Sequence, residues 1–137
     1  MKLRSVRGTH DIFGKEIDKF NFISNIVSKN ANLKEYKEIQ TPIFEFSDLF
    51  AKPLGEHSDV VLKEMYSFED RNNEYLTLRP EYTTPMIRAA ITNNLLNDLP
   101  LKIFGIGPMF RRERPQKGRY RQFNQINFEI LGTRDFL

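Results

Sequence analysis

The segment LKIFGIGPMFRRERPQKGRYRQFNQINFEILG, residues 101–132, contains two stretches that alternate like β-strands and a basic loop between them. Apolar side chains recur at even positions of both stretches: Phe104, Ile106 and Phe110 in the first, and Ile126, Phe128 and Ile130 in the second. Because strand side chains alternate between the two faces of a sheet, each strand has one apolar face and one face with large polar groups. The loop at 112–121 is longer than a typical hairpin connection, and long loops on rigid scaffolds are often functional.

The positive charge of the chain is concentrated in this loop. Residues 111–121 include six Arg or Lys and one Glu, a net charge of +5, whereas the whole chain has a formal charge of +3. The rest of the chain, with 15 basic and 17 acidic residues, therefore carries −2. A local excess of cations favours a local anion-binding site over a protein that coats nucleic acid with its whole surface.

Composition excludes several classes of protein. A chain of 137 residues with 39% hydrophobic residues is typical of one globular domain. The lack of cysteine excludes disulfides and a thiol nucleophile and favours a cytoplasmic protein. No apolar run approaches the roughly 18 residues needed to span a membrane. His10 and His57 are far apart in the sequence, so no metal site is predicted. The phosphate-binding patterns GxGxxG and GxxxxGK[ST] are absent, so any nucleotide site must be built from arginines on a sheet.

The rest of the chain predicts a sequence of short elements. We expect an amphipathic helix at 15–31, a short strand in KEIQTPIFE ended by Pro42, a short helix in FSDLFAKPLG broken at Pro53 and Gly55, a hairpin in MYSFEDRNNEYLTLR with its turn at DRNN, and a helix after PEY that Thr83 or Thr84 caps.

Three polar residues of the two long strands lie at odd positions. If the strands pair, Arg111, Gln125 and Glu129 share one sheet face. A guanidinium there can hold a phosphate or a carboxylate with two hydrogen bonds, and a carboxylate with an amide can hold an ammonium group and a polar ring. The alternative is an exposed sheet face lined with salt-bridged charges. The adjacent basic loop favours a site for a polyanion.

The loop and the start of the last helix each allow two interpretations. Arg114, Lys117 and Arg119 can each meet a phosphate and Tyr120 can stack on a base, or the loop is a solvated charged hairpin tip. Glu81 lies just before a helix, where a carboxylate either binds a ligand or simply stabilises the helix terminus.

Five segments, in this order, resemble those of one enzyme family. GPMFRRERPQKGRYRQFNQINFEILG resembles motif 2 of the class II aminoacyl-tRNA synthetases, in the form found in histidyl-tRNA synthetases. Upstream, RGTHD, EIQTPIFE, VVLKEMYSFEDRN and LTLRPEYTTPMIRA fall in the expected order, so the resemblance covers essentially the whole chain. It implies an α+β fold with a mixed, largely antiparallel sheet flanked by helices, with motif 1 at about 37–50 and motif 2 at about 104–132.

The resemblance also implies a role for each candidate residue. Arg111 would hold the α-phosphate of ATP and stabilise the charge that develops as the carboxylate of histidine attacks, which is electrostatic catalysis. The other implied contacts are Glu113, Arg119 and Tyr120 for ATP, Glu81, Thr83, Gln125 and Glu129 for histidine, and Arg114 and Lys117 for the acceptor end of tRNA(His). ATP would arrive with Mg²⁺, no permanently bound cofactor is implied, and the strand at Pro42 would lie in a homodimer interface. The family pattern has a glycine where Tyr82 stands and a histidine where Asn124 stands, which raises the question whether the tyrosine ring enters the pocket.

The resemblance implies a single partial catalytic domain at 1–137. Motif 3 and the anticodon-binding domain of the family are absent, so the chain is expected to be an N-terminal fragment that is inactive, or nearly so, alone. Three functions remain open. The first is a histidine–tRNA ligase, the second is a non-catalytic relative that regulates a phosphoribosyltransferase of histidine biosynthesis, and the third is an inactive gene remnant. The intact RPQKGRYR loop favours the first function.

Overall fold

A computed structural model describes residues 2–51 and 63–134, which form two three-stranded sheets and their flanking helices. The elements are α1 (Lys15–Leu33), β1 (Lys37–Glu38), β2 (Phe44–Phe46), α2 (Asp48–Ala51), β3 (Tyr66–Glu69), β4 (Tyr75–Leu78), α3 (Thr83–Thr92), a 3₁₀ turn (Leu95–Asn97), β5 (Leu101–Phe110) and β6 (Gln122–Leu131). The predicted α+β class is confirmed. Within the described residues only the β1–β5 pair is parallel, and the division into two sheets was not predicted.

Helix α1 confirms the prediction from the apolar spacing. Ile17, Phe20 and Val27 are partly covered and Ala31 is buried, while the intervening positions are mostly exposed. The helix ends where Glu35 takes a left-handed backbone conformation with φ 63°. No helix in the described residues is long and apolar enough to cross a membrane.

The first sheet has the order β1-β5-β6 and contains the long hairpin predicted from residues 101–132. Gly107 of β5 lies opposite Gln125 of β6, and Ile103 lies opposite Glu129. Residues of the same parity therefore share a face, as the alternation requires. The last ladder bond runs from the Arg111 N–H to the Arg121 carbonyl at 2.9 Å, which places Arg111 at the mouth of the loop on the same face as Gln125 and Glu129.

The second sheet has the order β2-β4-β3. The predicted hairpin is confirmed, and its turn closes through a bond of 2.8 Å from the Asp70 N–H to the Glu74 carbonyl. The predicted strand before Pro42 is β1, and the chain then changes sheets, so that β2 pairs with β4. Proline has no N–H to donate to a ladder, which explains why the strand does not continue through it. The short helix α2 is present, but its predicted end at Pro53 and Gly55 lies outside the described residues.

The core lies between α3 and the odd face of β5. Tyr82, Met86, Ile103 and Met109 form this core and are each no more than 2% exposed. Helix α3 therefore covers the face that carries the large polar groups of β6. The apolar even face of β6 is half exposed by comparison: Ile126, Phe128 and Ile130 are 41%, 44% and 43% exposed within the described residues.

Candidate active site

The candidate site occupies the odd face of the β5–β6 hairpin and the adjoining loop. Its side chains come from three places: the mouth of the loop, the middle of β6 and the first turn of α3. The antiparallel register brings the first two onto one surface, and the packing of Met86 on Ile103 and Met109 brings α3 over it. Residues separated by more than forty positions in the sequence thus face one another.

Arg111 is held in one orientation by its surroundings. Its Nε–H donates to the Pro80 carbonyl at 2.9 Å, and its guanidinium lies 5.0 Å from the centre of the Phe123 ring. Its Nη1 lies 3.9 Å from Glu113 Oε1, a long ion pair with both side chains partly exposed. A guanidinium has five N–H donors, and among the described residues only the Nε–H is hydrogen-bonded, so the outer edge keeps donors for a planar anion.

A cleft of about 820 Å³ opens beside Arg111, a volume in the usual range of small-molecule sites. Its described lining includes all the residues that the sequence assigned to ATP together with one assigned to tRNA: Arg111, Glu113, Arg119, Tyr120 and Arg114. Lys117 is not among the lining residues. It lies in the two-residue turn between Gln116 and Arg119, where Gly118 has φ 81°. Of the two residues assigned to tRNA, only Arg114 thus lines the described part of the cleft.

A hydrogen-bonded cluster joins α3 to β6 further along the same face. Glu129 Oε1 accepts hydrogen bonds from Thr83 Oγ1 at 2.7 Å and from Asn127 Nδ2 at 2.8 Å. The Asn127 amide also lies 3.2 Å from Thr83 Oγ1. Two predicted residues, Thr83 and Glu129, are thus in direct contact. The sequence reasoning missed Asn127, although its odd position in β6, between Gln125 and Glu129, was a signal that could have identified it.

The start of α3 corrects one prediction about capping. Neither Thr83 nor Thr84 caps the helix. The Thr83 hydroxyl donates to Glu129, and the carboxylate of Glu81 accepts the N–H of Thr84 at 3.0 and 3.2 Å. A carboxylate at this position also interacts favourably with the helix dipole. Glu81 therefore has the ordinary structural role that the sequence allowed.

Gln125 contributes an acceptor without a partner. Its Oε1 is buried and accepts no hydrogen bond from any described residue. A buried carbonyl oxygen without a donor is unfavourable by about 1–3 kcal/mol, so a donor supplied by a ligand would recover that free energy. The alternative interpretation, a face lined with salt bridges, fits less well: among the described residues, Arg111 makes only the long ion pair with Glu113, and Glu129 is in no ion pair.

Tyr82 is a core residue. The side chain is 1% exposed and lies in the core, with its ring close to Gly105. Its hydroxyl donates to the Ile39 carbonyl at 3.2 Å, and the Arg79 guanidinium lies 4.4 Å from the ring centre. The ring of Tyr82 therefore contacts β5, whereas the hydroxyl of Thr83 bonds to Glu129 on β6.

No group of three or more His, Asp or Glu side chains in the described residues is arranged to hold a metal ion. A divalent cation that enters with a nucleotide would rely mainly on the phosphate oxygens.

A family model matches the second half of the chain. The model is the tRNA synthetase class II core domain (G, H, P, S and T), and it matches residues 66–136, which include both strands of the hairpin and α3. The chain belongs to the class II aminoacyl-tRNA synthetase core family. Membership confirms the resemblance found in motif 2.

Two curated relatives of this class II chain are histidine–tRNA ligases. The chain is 50% identical over 131 residues to the histidine–tRNA ligase of Thermosipho africanus, covering 95% of this chain and 31% of the relative. It is 53% identical over 131 residues to the histidine–tRNA ligase of Gluconacetobacter diazotrophicus, covering 96% of this chain and 32% of the relative. The chain therefore spans about a third of the length of these relatives.

Solved structures agree with the class II fold. Apo S. aureus histidyl-tRNA synthetase superposes with a TM-score of 0.81 at 35% identity, covering 98% of this chain and 30% of that one. A Bacillus halodurans protein described as an ATP phosphoribosyltransferase regulatory subunit/histidyl-tRNA synthetase superposes with a TM-score of 0.82 at 19% identity, over 98% of this chain and 34% of that one. Because the identity to the second protein is only 19%, that match shows a shared fold alone.

Proposed function

We propose that this chain is part of the catalytic core of a histidine–tRNA ligase, which activates histidine with ATP and transfers it to tRNA(His). One observation carries the proposal. The Thr83–Asn127–Glu129 cluster and the free acceptor of Gln125 lie on the same sheet face as a rigidly held Arg111. Gln125 is four residues along β6 from Arg121, the partner of Arg111, which is about 13 Å at the usual rise per residue. This separation leaves room for a small amino acid whose carboxylate points toward the guanidinium.

In the first step, Arg111 would act by position and charge. The carboxylate of histidine attacks the α-phosphate of ATP, and negative charge builds up on the phosphate oxygens before pyrophosphate leaves. The Pro80 carbonyl and the Phe123 ring fix the guanidinium before the reaction, so its outer N–H donors need not reorganise as that charge develops. Glu113, Arg119 and Tyr120 would seat the nucleotide in the adjoining cleft. Mg²⁺ would enter with the ATP phosphates as part of the substrate.

The polar cluster would select the amino acid. A carboxylate offers about four lone-pair positions, and Thr83 and Asn127 occupy two of them on Oε1 of Glu129. The remaining positions suit an imidazole N–H, while Gln125 Oε1 suits an ammonium group. An amino acid without a matching donor would leave these acceptors unpaired, and such sites reject analogues by factors of about 10⁴. Glu81, which caps α3, would contribute its remaining lone pairs to the same pocket.

The remaining parts of the proposal concern partners. Arg114 and Lys117 would approach the acceptor end of tRNA(His), and the strand at Pro42 would lie in a homodimer interface. The reaction would take place in the cytoplasm, where translation occurs. The chain alone is expected to show no turnover, since the relatives that it matches are about three times as long.

The test is histidine-dependent ATP–pyrophosphate exchange. The chain would be combined with the part of the Thermosipho africanus relative that lies beyond its matched portion. We expect exchange with histidine, its loss in Arg111→Ala, and its retention in Arg71→Ala, an exposed arginine in the β3–β4 turn. A complemented parent chain that exchanges with no amino acid would overturn the proposal.

A regulatory subunit of a phosphoribosyltransferase is the second candidate. The only observation in its favour is the fold shared with the Bacillus halodurans protein, at 19% identity. Such a subunit needs a histidine pocket but no RNA contact. Histidine binding by a chain that binds no RNA at low salt would favour it over the ligase. An inactive remnant would bind neither.

A further inference from the structure

The N-terminal segment lies against the loop that joins β5 to β6. We call residues 2–10, KLRSVRGTH, the N-terminal arm. The backbone N–H of Arg121 donates to the carbonyl of Gly8 at 2.7 Å. The ring of His10 lies 4.7 Å from the ring of Tyr120, centre to centre. The arm is therefore attached to the base of the loop by a main-chain hydrogen bond and an aromatic contact.

Gly8 makes this close approach possible. Its φ is 85°, and the Thr9 N–H donates to the Val6 carbonyl at 2.9 Å, so that the chain turns at this point. A Cβ placed on Gly8 would lie 2.8 Å from Arg121 Cγ and 3.0 Å from Pro115 Cγ. Any side chain here would be strained and would also push the arm off the loop. Only glycine allows the observed contact.

The arm adds positive charge to a loop that is already basic. It contains Lys2, Arg4 and Arg7 and no acidic residue, so its charge is +3 beside the +5 of residues 111–121. Together these two segments carry +8, whereas the other residues, 12 basic and 17 acidic, carry −5. Lys2, Arg4 and Arg7 are all exposed, and neither of the ion pairs formed in the described residues involves them. Two basic segments thus meet where Gly8 contacts Arg121, although like charges repel one another.

We propose that the N-terminal arm is a second RNA-contacting segment, which binds backbone phosphates of the same RNA that the loop approaches. This inference rests on the proposed function, in which that RNA is tRNA. Three residues of the arm, at positions 2, 4 and 7, span up to about 17 Å of extended chain, a distance that suits successive phosphates of a nucleic acid. They do not line the cleft beside Arg111, where a nucleotide would sit. A chain of phosphates outside the cleft is therefore the ligand that matches their placement.

The first test measures how RNA binding depends on salt. The probe is a hairpin with the acceptor-stem sequence of a histidine tRNA, titrated with the full chain between about 50 and 200 mM salt. Each lost phosphate contact lowers the slope of log K against log salt by about 0.7–0.9, so the triple variant K2Q/R4Q/R7Q should lose about 2. The matched control is K15Q/K19Q/K29Q, which removes the same charge from exposed positions of α1 and should keep the parental slope.

The second test displaces the arm without changing its charge. Gly8→Ala should weaken binding of the same hairpin several-fold, because the added Cβ meets Arg121 and Pro115. Gly14→Ala is the control, since Gly14 also has a positive φ of 57° but a Cβ there would meet nothing within 4 Å. Circular dichroism of both variants would establish that they fold.

The outcomes separate this inference from the proposed function. If the parent chain shows no salt-dependent RNA binding, the tRNA role of the loop fails, and the arm proposal fails with it. If the parent binds but the triple variant keeps its slope, or Gly8→Ala binds like Gly14→Ala, only the arm proposal is overturned. A triple variant that loses affinity for a fluorescent ATP analogue and keeps its affinity for RNA would assign the arm to the nucleotide and overturn the proposal as stated.

Discussion

The contact between Gly105 and Tyr82 gives the sharpest test of the core beneath the site. Gly105 lies in the middle of β5, and a Cβ added there would be 2.4 Å from Tyr82 Cε1 and 2.7 Å from Cζ. The ring has no room to retreat, because it is 1% exposed, its hydroxyl is bonded to Ile39 and Arg79 lies over its face. Gly105→Ala should therefore overpack the core.

The expected change in the free energy of unfolding combines a cost from overpacking with a smaller gain from unfolded-state entropy. Overpacking a core costs about 1–3 kcal/mol, and this site belongs at the upper end because the ring is held from several sides. Alanine restricts the unfolded chain more than glycine does, which offsets about 0.5–1 kcal/mol. We expect Gly105→Ala to lower the free energy of unfolding by about 2 kcal/mol. Urea denaturation followed by far-ultraviolet circular dichroism would measure it, with an unchanged m-value.

The same substitution in a Tyr82→Leu variant tests whether the clash with the ring is the cause. Tyr82→Leu removes the three atoms nearest the added Cβ, two ring carbons and the hydroxyl oxygen. Its own cost is large, since it leaves a cavity. In that background Gly105→Ala should change sign and stabilise the protein by about 0.5–1 kcal/mol, because the clash is gone and the entropic gain remains. If Gly105→Ala costs the same in both backgrounds, the contact with Tyr82 does not explain why glycine occupies this position.

Two further predictions concern polar contacts. Glu45→Gln should lower the free energy of unfolding by about 2 kcal/mol, because it leaves Arg88 without its carboxylate partner. Breaking a fully buried ion pair costs about 3–5 kcal/mol, and the expected loss is smaller here because the Arg88 side chain is 25% exposed. An unchanged urea midpoint would contradict it, and adding Arg88→Met should recover part of the loss. Asn127→Ala removes one of two donors to Glu129 and should weaken histidine binding about tenfold, or about 1.4 kcal/mol. Calorimetry would measure this, and Asn124→Ala, on the opposite and exposed face of the same strand, should bind histidine like the parent chain.

Local patterns were enough to predict the elements that local physics decides. The period of α1, the turn residues of the β3–β4 hairpin and the alternation of β5 and β6 each involve neighbouring residues, and the helix, the hairpin and both strands were confirmed. The predicted polar face was wrong for β5, whose odd positions Ile103 and Met109 are buried in the core. Parity alone placed Arg111, Gln125 and Glu129 on one face, because strand side chains alternate regardless of the rest of the fold. The same rule would have identified Asn127.

Those local patterns did not predict the contacts between distant segments. Thr83 is a good capping residue by its chemistry, yet its hydroxyl donates to Glu129, 46 residues away, and Glu81 caps the helix instead. Tyr82 lies between two candidate ligand contacts in the sequence, but its ring packs against Gly105 and is buried in the core.

The sequence by itself determined the strands, the long basic loop and the shared face of its polar residues, since period and charge are properties of neighbouring positions. Only the tertiary structure decided which face α3 covers, how Pro80 and Phe123 fix Arg111, and that Gly8 holds the N-terminal arm against the loop. These are long-range contacts, and their partners become neighbours only when burial of apolar surface brings distant segments together.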